Sequence, residues 1–160
     1  MKQIIVLLFM LASSSVFAQT PPPPAPLYGE SISLENARKV LHAAQAYALS
    51  KQWTVVVAIV DTGGNLVALE KIDNTQIASI EVAIGKAKTA NNFKRPTKAL
   101  EDAIAGGGVG LRVLSLPGAV PIEGGELILV NGKIVGAIGI SGMSAAQDGE
   151  VAKAGVAALK

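Results

Sequence analysis

The chain predicts an α/β (α+β) fold: a central antiparallel sheet of about five strands, with helices packed on its faces. Two observations carry this. Apolar runs are joined twice by turn-forming residues with no helix between them, at Asp61-Thr62-Gly63-Gly64-Asn65 and at Asn131-Gly132, so neighbouring strands are hairpins. Segments with apolar residues at three- and four-residue spacing stand before, between and after those hairpins. A parallel, doubly wound sheet needs a helical crossover between successive strands, which the hairpins exclude.

Taken in order, the elements begin with MKQIIVLLFMLASSSVFAQ. Lys2 is a short basic start, Ile4 to Ala12 is an apolar run too short for a bilayer, and Val16-Phe17-Ala18 carries small residues at the cleavage positions. Residues 1–18 read as a secretory signal peptide, which makes the expected location periplasmic or secreted. Residues 19–32, including TPPPPAP, read as an extended Pro-rich linker, disordered to about Ser31. The domain is expected over 33–160.

Within it, Ser33 is placed to cap a helix from Leu34 to Ser50, with Leu34, Ala37, Leu41, Ala44 and Ala48 on its apolar side and Glu35, Arg38, His42 and Gln45 on the other. WTVVVAIV, Trp53 to Val60, is a β-branched run suited to burial on both faces. The Asp61–Asn65 loop leads from strand to strand. A phosphate cradle leads from strand to helix, so this loop reads as a hairpin turn closed by Asp61, with a second strand from Leu66 to Glu70. A helix is predicted over Asp73–Phe93, with Ile77, Ile80, Ile84 and Ala87 as its core stripe. Small residues Ala83, Gly85 and Ala90 imply close approach of another helix or subunit. Arg95-Pro96-Thr97 breaks that helix, and Thr97 starts a short one to Ala105. Gly106 to Gly110 follows a helix, not a strand, so it is a loop and no dinucleotide fingerprint. Leu116 to Gly125 is turn-rich with room for a short edge strand. GELILVNGKIVGAIGIS gives the second hairpin, and Ser144 opens a last helix to Leu159 with Asp148 and Glu150 in its first turn.

Composition narrows the function classes. The formal charge is +2, falls by one with loss of Lys2, and is not clustered, so there is no nucleic-acid footprint. There is no Cys, which excludes disulfides, thiol catalysis and thiolate ligation. Half the residues are hydrophobic, enough for an apolar core without them. After cleavage no stable membrane span remains.

VVVAIVDTGGNLVALEKID, IEVAIGKAKTANNFKRPT, LPGAVPIEGG and VNGKIVGAIGISGMSAAQDGEVAKAGVAAL, in this order between Ser33 and Leu159, resemble the GlcG/HbpS-like family, which includes the C-terminal domain of PduO-type proteins. The resemblance implies a profilin-like sandwich, homo-oligomers and haem as a bound cofactor. For exported relatives it implies haem or iron handling and partnership with a sensor protein. For intracellular relatives it implies association with glycolate or diol metabolism.

A haem needs an apolar slot, cations for its propionates and an axial ligand. The ligand inventory of the mature chain is His42, Met143, Tyr28 and Tyr47. His42, the only histidine, falls on the polar side of the first helix. A solvated side chain is the ordinary reading there, and an axial ligand in a groove between subunits is the functional one. Arg112 is the candidate partner of a propionate, by its guanidinium fork, or else a solvated loop charge. Met143 is a packing residue or a ligand. The expected function is an exported, non-catalytic haem- or tetrapyrrole-binding protein in haem or iron handling or redox sensing. An alternative is a small organic-acid binder or enzyme whose pocket uses the Gly124-Gly125 amides with Lys86 or Lys88. Another is an oligomeric structural or signalling module built on the small-residue helices. Catalytic constellations are sparse: His42 is the only imidazole base, and Gly139-Ile140-Ser141-Gly142 lacks the spacing of a nucleophile elbow.

Overall fold

The structure, a computed structural model, describes residues 24–159. The expected signal peptide lies outside the described residues, as does the first part of the linker. Helix α1 runs Leu34–Ser50, and the Ser33 hydroxyl caps it by accepting from the Asn36 amide at 3.2 Å. The first hairpin is β1 (Val56–Asp61) and β2 (Leu66–Lys71). Two helices follow, α2 (Ser79–Phe93) and α3 (Thr97–Ala105), and then a 3-10 segment, Gly108–Ser115. The second hairpin is β3 (Gly125–Val130) and β4 (Lys133–Ser141), and the chain closes on α4 (Ala145–Val156). The sheet is four-stranded and antiparallel in the order β2-β1-β4-β3.

Both turns form as their residues require. Asp61 Oδ1 accepts the Gly63 and Asn65 amides at 2.9 and 2.8 Å, and Gly64 takes φ +78°. Asn131 and Gly132 take φ +51° and +73°, the left-handed pair that a two-residue hairpin needs.

The sheet has two different faces. Val55, Val57, Ile59, Ile128, Ile138 and Ile140 point into the main core beneath α1 and α4. Val56, Ala58, Val60 and Ala137 face α2. That second face is small on small: a Cβ at Gly139 would strike the Ala83 carbonyl oxygen, so the α2 backbone lies almost on the sheet. The buried residues of α2 are therefore Ser79, Ala83, Lys86, Ala87, Thr89, Ala90 and Asn91, and the expected isoleucine stripe is rotated away. Ile77 is 87% exposed, and Ile80 and Ile84 are only partly buried. Gly85 makes room for Val120 of the following loop, within this chain.

Three further boundaries differ from expectation. Helix α2 starts at Ser79 because Asn74 is left-handed at φ +64° and the Thr75 hydroxyl bonds the Ile72 carbonyl, holding residues 73–78 in turns. The fifth strand sought in Leu116–Gly125 is absent. Pro117 and Pro121 lack a donor, Gly118 is at φ +69°, and the amides of Ala119 and Ile122 close local turns instead. The chain becomes ordered before Ser31: Ile134 donates to Leu27, Gly29 to Ile134 and Ile32 to Val135, at 2.9, 2.7 and 2.8 Å. This strap runs parallel to the start of β4, in the lane that β1 leaves after Asp61 pairs with Gly136. Tyr28 anchors it by donating to the Asn91 carbonyl at 2.7 Å, and the Ser31 and Thr62 hydroxyls meet at 2.6 Å.

Candidate functional site

Four of the residues singled out in the sequence, Lys86, Gly124, Gly125 and Asp148, come together, and the backbone amide of Met143 joins them. Lys86 leaves the buried face of α2 at the open end of β3. It passes Gly124, where a Cβ would lie 2.9 Å from its Nζ, and Gly125, where a Cβ would lie 2.5 Å from its carbonyl oxygen. It ends on Asp148 in the first turn of α4, donating to Oδ2 at 2.8 Å, with the two side chains 2% and 3% exposed. Asp148 Oδ1 accepts the Met143 amide at 3.0 Å. Helices α2 and α4 lie on opposite faces of the sheet, so this ion pair ties the two layers together through a notch that only glycines leave open.

The electrostatics of the notch follow from its burial. Loss of solvent pushes the Asp148 carboxyl above its ordinary value, while Lys86 and the Met143 and Gly142 amides pull it down. Glu123 beside the notch is paired with Lys153 at 3.3 Å, and its amide donates to Glu101 Oε2. Gly125 donates its amide to Thr97 Oγ1 at 2.8 Å. The Lys86 ammonium and the Gly125 amide are thus both engaged inside the protein, and the organic-acid pocket expected from them is filled by the chain itself. Lys88 is exposed on the far side of α2.

The remaining candidates lie elsewhere. His42 is on the outer face of α1, its side chain 63% exposed and its Nε2 3.8 Å from Glu70 Oε1 on β2. Arg38 and Lys39, one turn earlier, are exposed on the same helix. Arg112 sits in the 3-10 segment among exposed Val109, Leu111 and Leu114, and is the only charge between Ala103 and Ile122. The Met143 side chain packs against the main core. Tyr47 donates to Glu150 at 3.0 Å, which holds its phenol above its ordinary pKa.

Glu70 and Asp148 were not paired with His42 and Lys86 by sequence spacing. The signal for Lys86 was present: it shares a helical face with the small residues Ala83, Ala87 and Ala90. No local signal links positions as distant as Lys86 and Asp148.

The surface grooves among the described residues include one of about 440 Å3 between the strap, the start of α1 and the β3–β4 hairpin, and one of about 370 Å3 along β3 beside Pro96, Lys153 and Val156. Among the described residues no group of three or more His, Asp or Glu side chains could hold a metal ion, and no helix is long and apolar enough to cross a membrane.

Comparison with known proteins agrees with this architecture. A family model described as "Haem degrading protein HbpS-like" matches residues 32–157. Protein GlcG of Escherichia coli (strain K12) is 35% identical over 110 residues, which is 69% of this chain and 81% of GlcG. The crystal structure of a PduOC:heme complex superposes with a TM-score of 0.73 at 31% identity, covering 81% of this chain and 96% of that one. A double mutant of Streptomyces reticuli HbpS superposes with a TM-score of 0.76 at 28% identity, covering 91% and 99%. With its fold shared and its sequence matched from the strap to the end of α4, the chain belongs to the HbpS-like family.

Proposed function

We propose that this is an exported, non-catalytic haem-binding protein that holds haem on the outer face of α1. The observation that carries this is the placement of the single histidine. His42 stands at the surface beside Glu70, with cationic Arg38 and Lys39 within one turn, in a chain similar to a protein solved as a heme complex. One imidazole nitrogen of His42 would ligate the iron, and Glu70 would steady the ring from the other side. Arg38 and Lys39 would face the propionates. The bound group would supply redox and ligand-binding chemistry at its iron.

The fit is to one wall of a site. His42 lines neither of these grooves, and the apolar side chain exposed on its helix face is Leu49, two turns on. We infer that a second copy supplies the other wall, consistent with a homo-oligomer, and that haem or iron handling, or redox sensing with a sensor protein, is the setting. Arg112 and its apolar neighbours are assigned to subunit contact instead of propionate binding.

Titration of the purified mature protein with hemin tests this reading. A saturable Soret band at about one haem per chain is expected, stable when ascorbate is added. Loss of the band under ascorbate, with formation of ring-opened product, would make the protein a haem-degrading enzyme. Absence of any saturable band sinks the proposal. Unchanged binding by His42→Ala removes His42 from the site.

A further inference from the structure

The groove of about 440 Å3 under the strap belongs to neither the notch nor the His42 face, and its volume is in the range of about 300–1,000 Å3 usual for small-molecule sites. Its lining includes the apolar side chains of Ile32, Val130 and Val135. It also includes Glu30 from the strap and Lys133 from the start of β4, both exposed. These opposite charges line one groove, and among the described residues neither side chain has an ion-pair or hydrogen-bond partner, as is also so of exposed Lys71 and Lys88. Asn131, at the tip of the hairpin, adds an amide that can both donate and accept.

We propose that this groove binds a small aliphatic zwitterion of the α-amino-acid class. A carboxylate and an ammonium on one carbon complement two opposite charges that line one groove without forming an ion pair, and an aliphatic side chain complements Ile32, Val130 and Val135. A lone anion would leave Glu30 repelling it, and a lone cation would meet Lys133 in the same way. The strap forms one wall, so occupancy also fastens residues 29–33 to β4.

The probe is L-leucine, titrated calorimetrically into the full mature chain without haem, with isocaproate and isoamylamine as partners that each keep one charge. Saturable leucine binding is expected, weaker by about tenfold or more for either analogue and for Glu30→Gln or Lys133→Met. Both substitutions are at exposed positions, and circular dichroism verifies their folding. No saturable heat with leucine at millimolar concentration overturns the proposal. So does leucine binding that both variants retain, and so does isocaproate binding as tight as leucine, which would mark a carboxylate site without zwitterion recognition. None of these outcomes depends on the haem reading, because His42 lies outside the groove.

Discussion

Replacing Asp148 by Asn tests the notch most severely. The change keeps the side-chain shape and an oxygen for the Met143 amide, but it turns an NH2 toward the Lys86 ammonium in place of a carboxylate 2.8 Å away. The ammonium is then buried, with 2% of its side chain exposed and no counter-ion. Breaking a buried pair from one side costs about 3–5 kcal/mol, because the surviving charge has lost water and gained nothing. Lys86→Met should cost less, since Asp148 can take up a proton. Burial already holds its carboxyl above the ordinary value, so between the ordinary and the raised value the folded state keeps a proton that the unfolded chain has released. Stability therefore falls as pH rises from the ordinary carboxylate range to the raised folded value, and loss of Lys86 widens that window upward. The double variant Lys86→Met with Asp148→Leu fills the notch with apolar groups and should recover most of the loss. Urea unfolding at pH 7 and about pH 5 measures all four proteins, with the slope held constant as the check on two-state behaviour. An Asp148→Asn penalty under about 1 kcal/mol, or a double variant as unstable as the singles, would refute the view that the cost is uncompensated buried charge.

Three other outcomes are expected. Asp61→Ala should cost about 1–2 kcal/mol, because the Gly63 and Asn65 amides lose their acceptor. Those amide bonds, that of Asn65 foremost, hold the Asp61 carboxyl below its ordinary value. Its contribution is present above the unfolded pKa and disappears as pH falls through the folded one, so wild type and variant should converge in acid unfolding curves. Gly139→Ala should cost about 3 kcal/mol or abolish folding, since its Cβ would collide with the Ala83 carbonyl across a rigid helix–sheet contact; a denaturation midpoint near wild type contradicts that packing. A chain starting at Ser33 should be less stable than one starting at Leu27, by loss of the strap's bonds to β4 and of buried Ile32, and equal stability would return residues 27–32 to the linker.

Features set by neighbouring residues were legible in the sequence. The turn glycines, the Ser33 and Ser144 caps and the doubly buried β1 all depend on contacts a few positions apart. The α2 stripe was misplaced because hydrophobicity alone favours Ile77, Ile80 and Ile84. The deciding quantity is the shape of the opposing surface, Ala58, Ala137 and Gly139, which is unknown until the sheet is assembled. A helix forced close to such a surface buries its smallest residues, and Lys86 is carried inward with them. The strap was missed for a related reason. LYGESI has little strand propensity, and its partners are the start of β4, on the edge that β1 leaves open, and the end of α2. Among the candidate site residues, Lys86, Gly124 and Gly125 converge, joined by the Met143 backbone amide alone, because a buried ammonium needs both a counter-ion and space. His42 and Arg112 stay apart from them because nothing in the core requires either.

The same packing governs where a flat ligand can go. The face under α1 and α4 is filled by branched aliphatic side chains, and the face under α2 is closed to backbone contact at Gly139. Opening either layer enough to admit a porphyrin would break the Lys86–Asp148 tie and forfeit contacts across the whole sheet. Haem bound as proposed must therefore lie outside the sandwich, where a single chain covers one side of the ring and leaves the other in water. That geometry links ligand to assembly: a second copy across the ring removes its exposed face, so haem favours the associated state, and association favours haem. Hemin affinity that rises with protein concentration follows directly, whereas a haem held within one chain would titrate identically at every concentration.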